Sequence, residues 1–218
     1  MFKSSIPWLT CLAIGFAGQL NGATVGQVTD FETDRDGWLH PRNSAFQTTI
    51  VPDGGGNVLS VTSSGTTGVG SRLLVPNLSA AWVGDYTAAG VTGIRMDIRN
   101  TNLLTLSMRV AVDGAGGRWV STTPVVLTTG QSGNFVFALD AGSMTSAGGA
   151  NLNATLSSLT QIRVLHNAGA PSYLGDQVAG SFTLDNITLI PEPSTSILVL
   201  VGLGGMLLVR HKPQPRTS

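Results

Sequence analysis

Two stretches of the chain alternate apolar and polar residues with a period of two. Ile94, Met96 and Ile98 point one way while Arg95, Asp97 and Arg99 point the other. Leu104, Leu106, Met108, Val110 and Val112 repeat the pattern, with Thr105, Ser107, Arg109 and Asp113 on the opposite side. Successive side chains of a pleated strand face opposite sides, so both stretches predict half-buried antiparallel strands. Asn100-Thr101-Asn102 between them has turn chemistry, and the pair is expected to be a hairpin. Further strands are predicted over 25–31, 46–51, 58–61, 70–75, 119–121, 135–139, 161–166 and 179–189. Glycine-rich turns at 52–56, 113–117 and 130–133 separate several of them. Helix is confined to a turn or two near Ala80 and to 152–159. In the last strand the apolar phase changes from Phe182 and Leu184 to Ile187 and Leu189, which predicts a bulge at Asp185-Asn186. About ten short strands without a strongly amphipathic helix predict an all-β sandwich. The chain shows no internal repeat, which disfavours a propeller or solenoid.

Both ends of the chain break this pattern. Lys3, a mostly apolar 6–16 and small residues at Asn21-Gly22-Ala23 read as a secretory signal peptide over 1–23. Its partners would be the Sec translocon and signal peptidase. The single cysteine, Cys11, lies inside it, so the exported domain forms no disulfide of its own. At the other end no charge occurs from 194 to 209, and Arg210, Lys212 and Arg216 follow. About 16 residues in a helix reach roughly 24 Å, short of a ~30 Å hydrocarbon core. Such a segment spans by thinning the bilayer while Arg210 and Lys212 snorkel to the headgroups, leaving a cytoplasmic basic end. Pro191-Glu192-Pro193 ahead of it enforces an extended, protease-accessible approach.

Pro191, Glu192 and Pro193, then the apolar stretch and the basic stop, together resemble the PEP-CTERM sorting signal of Gram-negative bacteria. The resemblance covers 191 to about 216. It implies an exported protein whose C-terminal helix holds it in the inner membrane until an exosortase-type membrane protease acts, after which it stays at the surface or is released. A permanent single-pass anchor is the alternative. The chain of 218 residues thus divides into a signal peptide (1–23), one domain (24–190) and a sorting segment with a short transmembrane helix (191–218).

The central domain is long enough for a full core. It contains no lysine, and eight arginines face eleven carboxylates, a net charge of −3. That balance excludes nucleic-acid binding by bulk charge. Its richness in Gly, Ser, Thr, Asn and Val suits an extracellular β-protein with many turns.

Phe31-Glu32 with Asp36-Gly37-Trp38 near the start, and Phe182-Thr183-Leu184-Asp185-Asn186-Ile187 near the end, resemble the ends of jelly-roll domains. Galactose-binding-like domains and carbohydrate-binding modules carry similar ends. The resemblance implies that the first and last strands lie side by side, and that Glu32 and Asp185 share a structural calcium with backbone carbonyls. Asp30, Glu32, Asp34 and Asp36 recur at every second residue, and hard oxygen donors so spaced also invite Ca²⁺. An EF-hand is excluded because its last position would fall on Asn43. A solvated turn, with Asp185 bonded to local amides, is the other reading.

Trp82, Tyr86, Trp119 and Tyr173 lie in loop-like or strand-edge sequence and are candidate sugar-binding rings, because sugars present apolar C–H faces. Core filling or loop anchoring is the alternative for each, and the preferred role for Trp38. Arg95, Arg99 and Arg109 are expected on one polar face with Asp97, suited to acidic polysaccharide but more simply a solvated face with ion pairs. No catalytic residue is expected. Only His40 and His166 occur in the domain, and neither a Gly-x-Ser-x-Gly elbow nor a His-Glu-x-x-His helix is present. A glycosidase needs two carboxylates about 5 to 10 Å apart across a cleft, and here the acids sit mostly in turns. The expected function is non-enzymatic: an exported surface or matrix protein, structural or binding exopolysaccharide. A permanently anchored sugar-binding module and a glycan hydrolase are the alternatives.

Overall fold

The computed structural model describes residues 22–39 and 47–191. Most of the signal-peptide segment, His40, Asn43, Glu192, Pro193, Arg210 and Lys212 lie outside the described residues. The rest is an all-β sandwich of two antiparallel sheets. The front sheet has the order β2 (Thr48–Asp53), β3 (Gly56–Ser64), β12 (Ala179–Pro191), β5 (Val91–Asn100) and β9 (Ser132–Ala138), with β1 (Val28–Thr29) also against β12. The back sheet runs β10 (Met144–Ser146), β7 (Gly117–Ser121), β6 (Leu106–Gly114), β11 (Leu159–His166) and β4 (Leu74–Asn77), with β8 (Val125–Leu127) on β6.

Alternation along the strands builds the core. Leu59, Val61, Ile94, Met96, Ile98, Phe182 and Leu184 from the front meet Leu106, Met108, Val110, Val112, Ile162 and Val164 from the back in one buried cluster. The phase change in β12 is a register shift between Asp185 and Thr188, with Asn186 at φ 50°. Before the bulge β12 lies between β3 and β5; after it, between β1 and β5. The first and last strands are therefore neighbours, Val28 opposite Thr188 and Thr29 opposite Ile187.

The expected hairpin is not formed. β5 belongs to the front sheet and β6 to the back, so the chain crosses between sheets after Asn100. Both strands bury one face, but they bury it from opposite sides of the same core, which a local pattern does not distinguish. Asn100 pins the corner: its Nδ2 donates to the Leu104 and Leu127 carbonyls, and its Oδ1 accepts from Asn102 N. The helical turns are α1 (Tyr86–Ala89), capped by Asp85, and α2 (Leu152–Leu156), capped by Asn151. Ala23, the last residue assigned to the signal peptide, is itself buried, and its N–H donates to the Val83 carbonyl. A chain starting at Thr24 lacks that contact.

Candidate functional site

The four aromatic candidates do not form a platform. Trp82 and Tyr86 are fully buried. Trp82 packs edge-on against Trp38 at 5.3 Å between ring centroids, and its Nε1 donates to Asp36 Oδ2 at 2.7 Å. Tyr86 donates to the Trp82 carbonyl, and burial pushes its hydroxyl far above the ordinary tyrosine value. Neither offers a ring face to a ligand. Trp119 is half-buried against the core edge, with its indole nitrogen under Gly149. These rings occur in loop-like sequence, but short loops fold inward over the ends of a sandwich, and exposure cannot be read from the sequence there.

Tyr173 is buried on the outside of the back sheet. It belongs to the 167–178 connection between β11 and β12, which lies over Leu74, Ala111, Val120 and Leu165. The Arg163 guanidinium stacks 3.8 Å from its ring centroid and Arg118 lies 4.8 Å away. Its hydroxyl donates to Gln161 Oε1 at 2.5 Å, with Asp113 Oδ2 at 3.2 Å. Arginines fasten the rest of this strap. Arg72 donates to the Gly175 carbonyl, and Arg163 to the Tyr173 carbonyl. Arg109 was expected on an open polar face but is only 3 % exposed. It donates to the Asn167, Gly169, Ser121 and Thr122 carbonyls. Burial lowers its pKa from the ordinary value, opposed by the Asp176 carboxylate.

Among the described residues, no such segment covers the outer face of the front sheet. A groove of ≈ 310 Å³ runs across β2, β3, β12, β5 and β9, lined by Asp53, Val58, Asp97, Arg99, Asn134, Thr183 and Asp185 among others. No aromatic ring lines it among the described residues. At its centre Asp97 and Asp185 sit directly opposite each other in register. Two like charges at such a pair repel, and amides compensate them. The Asn186 side-chain nitrogen donates to Asp97 Oδ2 at 2.9 Å and to Asp185 Oδ2 at 3.1 Å. Asn134 donates to Asp97 Oδ1 at 2.8 Å, and the Asn186 backbone N–H to Asp185 Oδ1 at 2.8 Å. Asp97 therefore pairs with asparagines where an arginine was expected, and Arg99 instead meets Asp53 at 3.4 Å. The pKa of Asp185 is raised by burial first; its own Asn186 N–H opposes this, while Asp97, Glu32 and Asp30 add to it.

Glu32, the other expected calcium ligand, is exposed at the margin of this acidic region. Phe31, buried at φ 57°, turns the chain so that Glu32 faces outward. The Glu32 oxygens accept from Asn57, Oε1 from its backbone N–H at 3.0 Å and Oε2 from its side chain at 3.3 Å. Glu32 and Asp185 have the right donor chemistry for calcium. Amide donors already occupy both, however, and among the described residues no three acidic, His or Cys side chains converge as a metal site. Asn134, Asn57, Asn186 and Asp53 were not singled out from sequence. The predicted bulge pointed at Asn186; for the others no local signal exists, since their roles come from strand pairing.

The fold and its open front face define an all-β jelly-roll sandwich of the kind seen in carbohydrate-binding modules. The chain is similar to the family 11 carbohydrate-binding module of the cellulosomal cellulase Lic26A-Cel5E of Clostridium thermocellum, at 17% identity and a TM-score of 0.50, covering 78% of this chain and 96% of that one. It is also similar to an exo-β-agarase, at 13% identity and a TM-score of 0.52, covering 76% of this chain and 25% of that one. A further agarase matches at 14% identity and a TM-score of 0.52, covering 89% of this chain and 34% of that one. The chain thus spans about a quarter of one agarase and about a third of the other. At these identities the likeness is one of fold. No protein-family model matches the chain, and no curated protein sequence does.

Proposed function

We propose that this chain is an exported, non-catalytic protein that holds a polysaccharide at the cell surface or in the extracellular matrix, in the groove on its front sheet. The observation that carries this reading is the contrast in side-chain supply. The groove presents Asp97, Arg99 and Asp185 on the central strands β5 and β12 and Asn134 on the edge strand β9, and sugar hydroxyls act as both donors and acceptors toward such groups. Without an aromatic floor, affinity rests on hydrogen bonds, which predicts weak binding to a single sugar and gain from many sites along a polymer.

Catalysis is left out of the proposal on geometric grounds. A retaining glycosidase places its two carboxyl groups about 5–5.5 Å apart on either side of the scissile bond. Asp97 and Asp185 share one Asn186 amide nitrogen, so no sugar ring fits between them.

The sorting reading is part of the same proposal. Residues 1–23 direct the chain to the Sec translocon and signal peptidase, and Pro191-Glu192-Pro193 to an exosortase-type protease. Mass spectrometry of protein recovered from cells and medium should find the tail removed; a mature product still reaching Ser218 contradicts it. Calcium at Glu32 and Asp185 is a further proposal. Binding would displace the Asn57 and Asn186 donors, and should raise the melting temperature in Ca²⁺ over EGTA, an effect abolished by Glu32→Gln. Equal melting in both buffers removes calcium from the account. The binding reading is tested by affinity gels carrying neutral β-glucan, agarose or exopolysaccharide. Retention on at least one is expected, with about tenfold loss in Asn134→Ala and only a small fall in melting temperature, since the Asn186 amide still bridges the two carboxylates. No retention on any gel refutes sugar binding and leaves a purely structural matrix role.

A further inference from the structure

A second concavity, separate from the front groove, lies at the β4 edge of the back sheet. It has a volume of ≈ 400 Å³, within the size range of small-ligand pockets. The turn between β3 and β4 forms one wall with Gly68, Val69 and Gly70, and Leu174 of the strap forms the other. Arg72, Arg163 and Gln47 complete it, and no carboxylate lines it among the described residues.

Three features make this more than a surface dent. Gln47 is only 4 % exposed, yet its buried Oε1 has no hydrogen-bond partner among the described residues. An orphaned buried acceptor costs stability, and a ligand that brings a donor recovers it. The Gly70 backbone lies directly against this side chain: a Cβ there would touch Gln47 Cδ at 3.5 Å. Gln47 is itself part of the lining. Secondly, the guanidinium charges are in excess. Arg72 donates only to the Gly175 carbonyl among the described residues. Burial lowers the pKa of Arg163; Tyr173 opposes this, neighbouring Arg118 lowers it further, and Asp113 opposes it again. An anion placed here relieves that repulsion. Thirdly, Val69 and Leu174 are about half exposed, at 53 % and 50 %, and give apolar walls that a bare phosphate or sulfate would leave unused.

A hydroxyl donor, a carboxylate and apolar C–H faces on one ring describe a uronate. We infer that this concavity is a second saccharide site, taking a uronate residue of an acidic polysaccharide. Its hydroxyl meets Gln47 Oε1, its carboxylate meets Arg72, and its ring lies between Val69 and Leu174. The site stands independently of the front groove and asks for the opposite ligand charge character: two arginines without a lining carboxylate here, three carboxylates there.

The test is isothermal titration of the full-length protein with a short oligogalacturonate, a cello-oligosaccharide of the same length and inorganic phosphate. Oligogalacturonate should bind and the other two should not compete at this site. Arg72→Gln should weaken oligogalacturonate binding about tenfold or more, since it removes a charge-assisted contact. Arg72 also anchors the strap, so Gln47→Met supplies a variant free of that role. It should weaken binding severalfold while leaving the melting temperature unchanged or higher, because the orphaned acceptor is gone. Asn134→Ala, in the front groove, should leave oligogalacturonate affinity untouched. Unchanged affinity in both Arg72→Gln and Gln47→Met overturns the inference. So does phosphate binding with the same Arg72 dependence, which makes the place a simple anion site, or loss of oligogalacturonate binding in Asn134→Ala alone.

Discussion

On the back sheet the outward positions of β6, β7 and β11 are consumed by the protein's own 167–178 strap, whereas the outward positions of β5, β12 and β9 on the front sheet face solvent. Both faces carry Asp and Arg on the outside, but the back face adds an apolar patch of Leu74, Ala111, Val120 and Leu165 on which the strap packs. The partners of the arginines differ in the same sense. Arg109 and Arg163 spend their donors on strap carbonyls and on Gln161, and Arg163 also stacks on Tyr173. Arg99 meets only the two oxygens of exposed Asp53, each at 3.4 Å, among the described residues and stays available. A closed face and an open face on one sandwich locate function by elimination of surface already in use.

The sharpest way to break the contrast is to release the strap. Arg109→Ala removes a buried cation and leaves four carbonyls short of a donor, and should destabilise by about 3–5 kcal/mol in urea unfolding. A change under about 1 kcal/mol would mean the strap is held elsewhere. A smaller effect is expected from Tyr173→Phe. It deletes one hydroxyl bond but keeps the ring between its arginines, and Gln161 Oε1 still accepts from Arg163. About 1 kcal/mol is the ordinary net worth of such a bond. Retained affinity for sugar in both variants would separate the closed face from binding.

The smallest effect is set by pH. His166 at the base of the strap accepts from Ser107 N–H on Nδ1 and faces Asp176 through Nε2 at 3.7 Å. The proton therefore sits on Nε2 of a neutral ring. Burial lowers its pKa from 6.5, opposed by the Asp176 carboxylate. As pH falls below 6.5 the unfolded chain takes up a proton that the folded ring resists, so stability is lost from 6.5 down to the folded value. His166→Gln should flatten that limb of the stability profile. A wild-type profile already flat below 6.5 contradicts this placement of the proton.

What was legible in the sequence follows from how local each signal is. The phase change from Leu184 to Ile187 is written in one strand, and it marks the bulge and the exchange of β3 for β1 beside β12. The motifs around Phe31 and Phe182 likewise anticipated adjacent first and last strands. The partition of β5 and β6 into different sheets was not legible, because Asn100-Thr101-Asn102 serves a corner between sheets as well as a hairpin. Trp82 and Tyr86 were misplaced for a related reason: their burial depends on α1 closing one end of the sandwich. The strap was invisible, since Asn167-Ala168-Gly169-Ala170-Pro171 reads as an ordinary loop, and its anchors come from four distant strands. The front groove was half visible. Asp97 and Asp185 were noticed separately, but only strand pairing sets them side by side with Asn134 and Asn186.

The open front face holds the polysaccharide, whereas the part of the back sheet buried under the strap, around Val120, Leu165 and Tyr173, holds none. The most direct measurement is chemical-shift mapping of the isotopically labelled protein titrated with whichever polysaccharide fragment the affinity gels retain. The account predicts that the largest shifts fall on Arg99, Asn134, Thr183 and the Asp185-Asn186 bulge, with Val120, Leu165 and Tyr173 unmoved. Shifts centred on the strap and the outer back sheet, with the front groove silent, would contradict it.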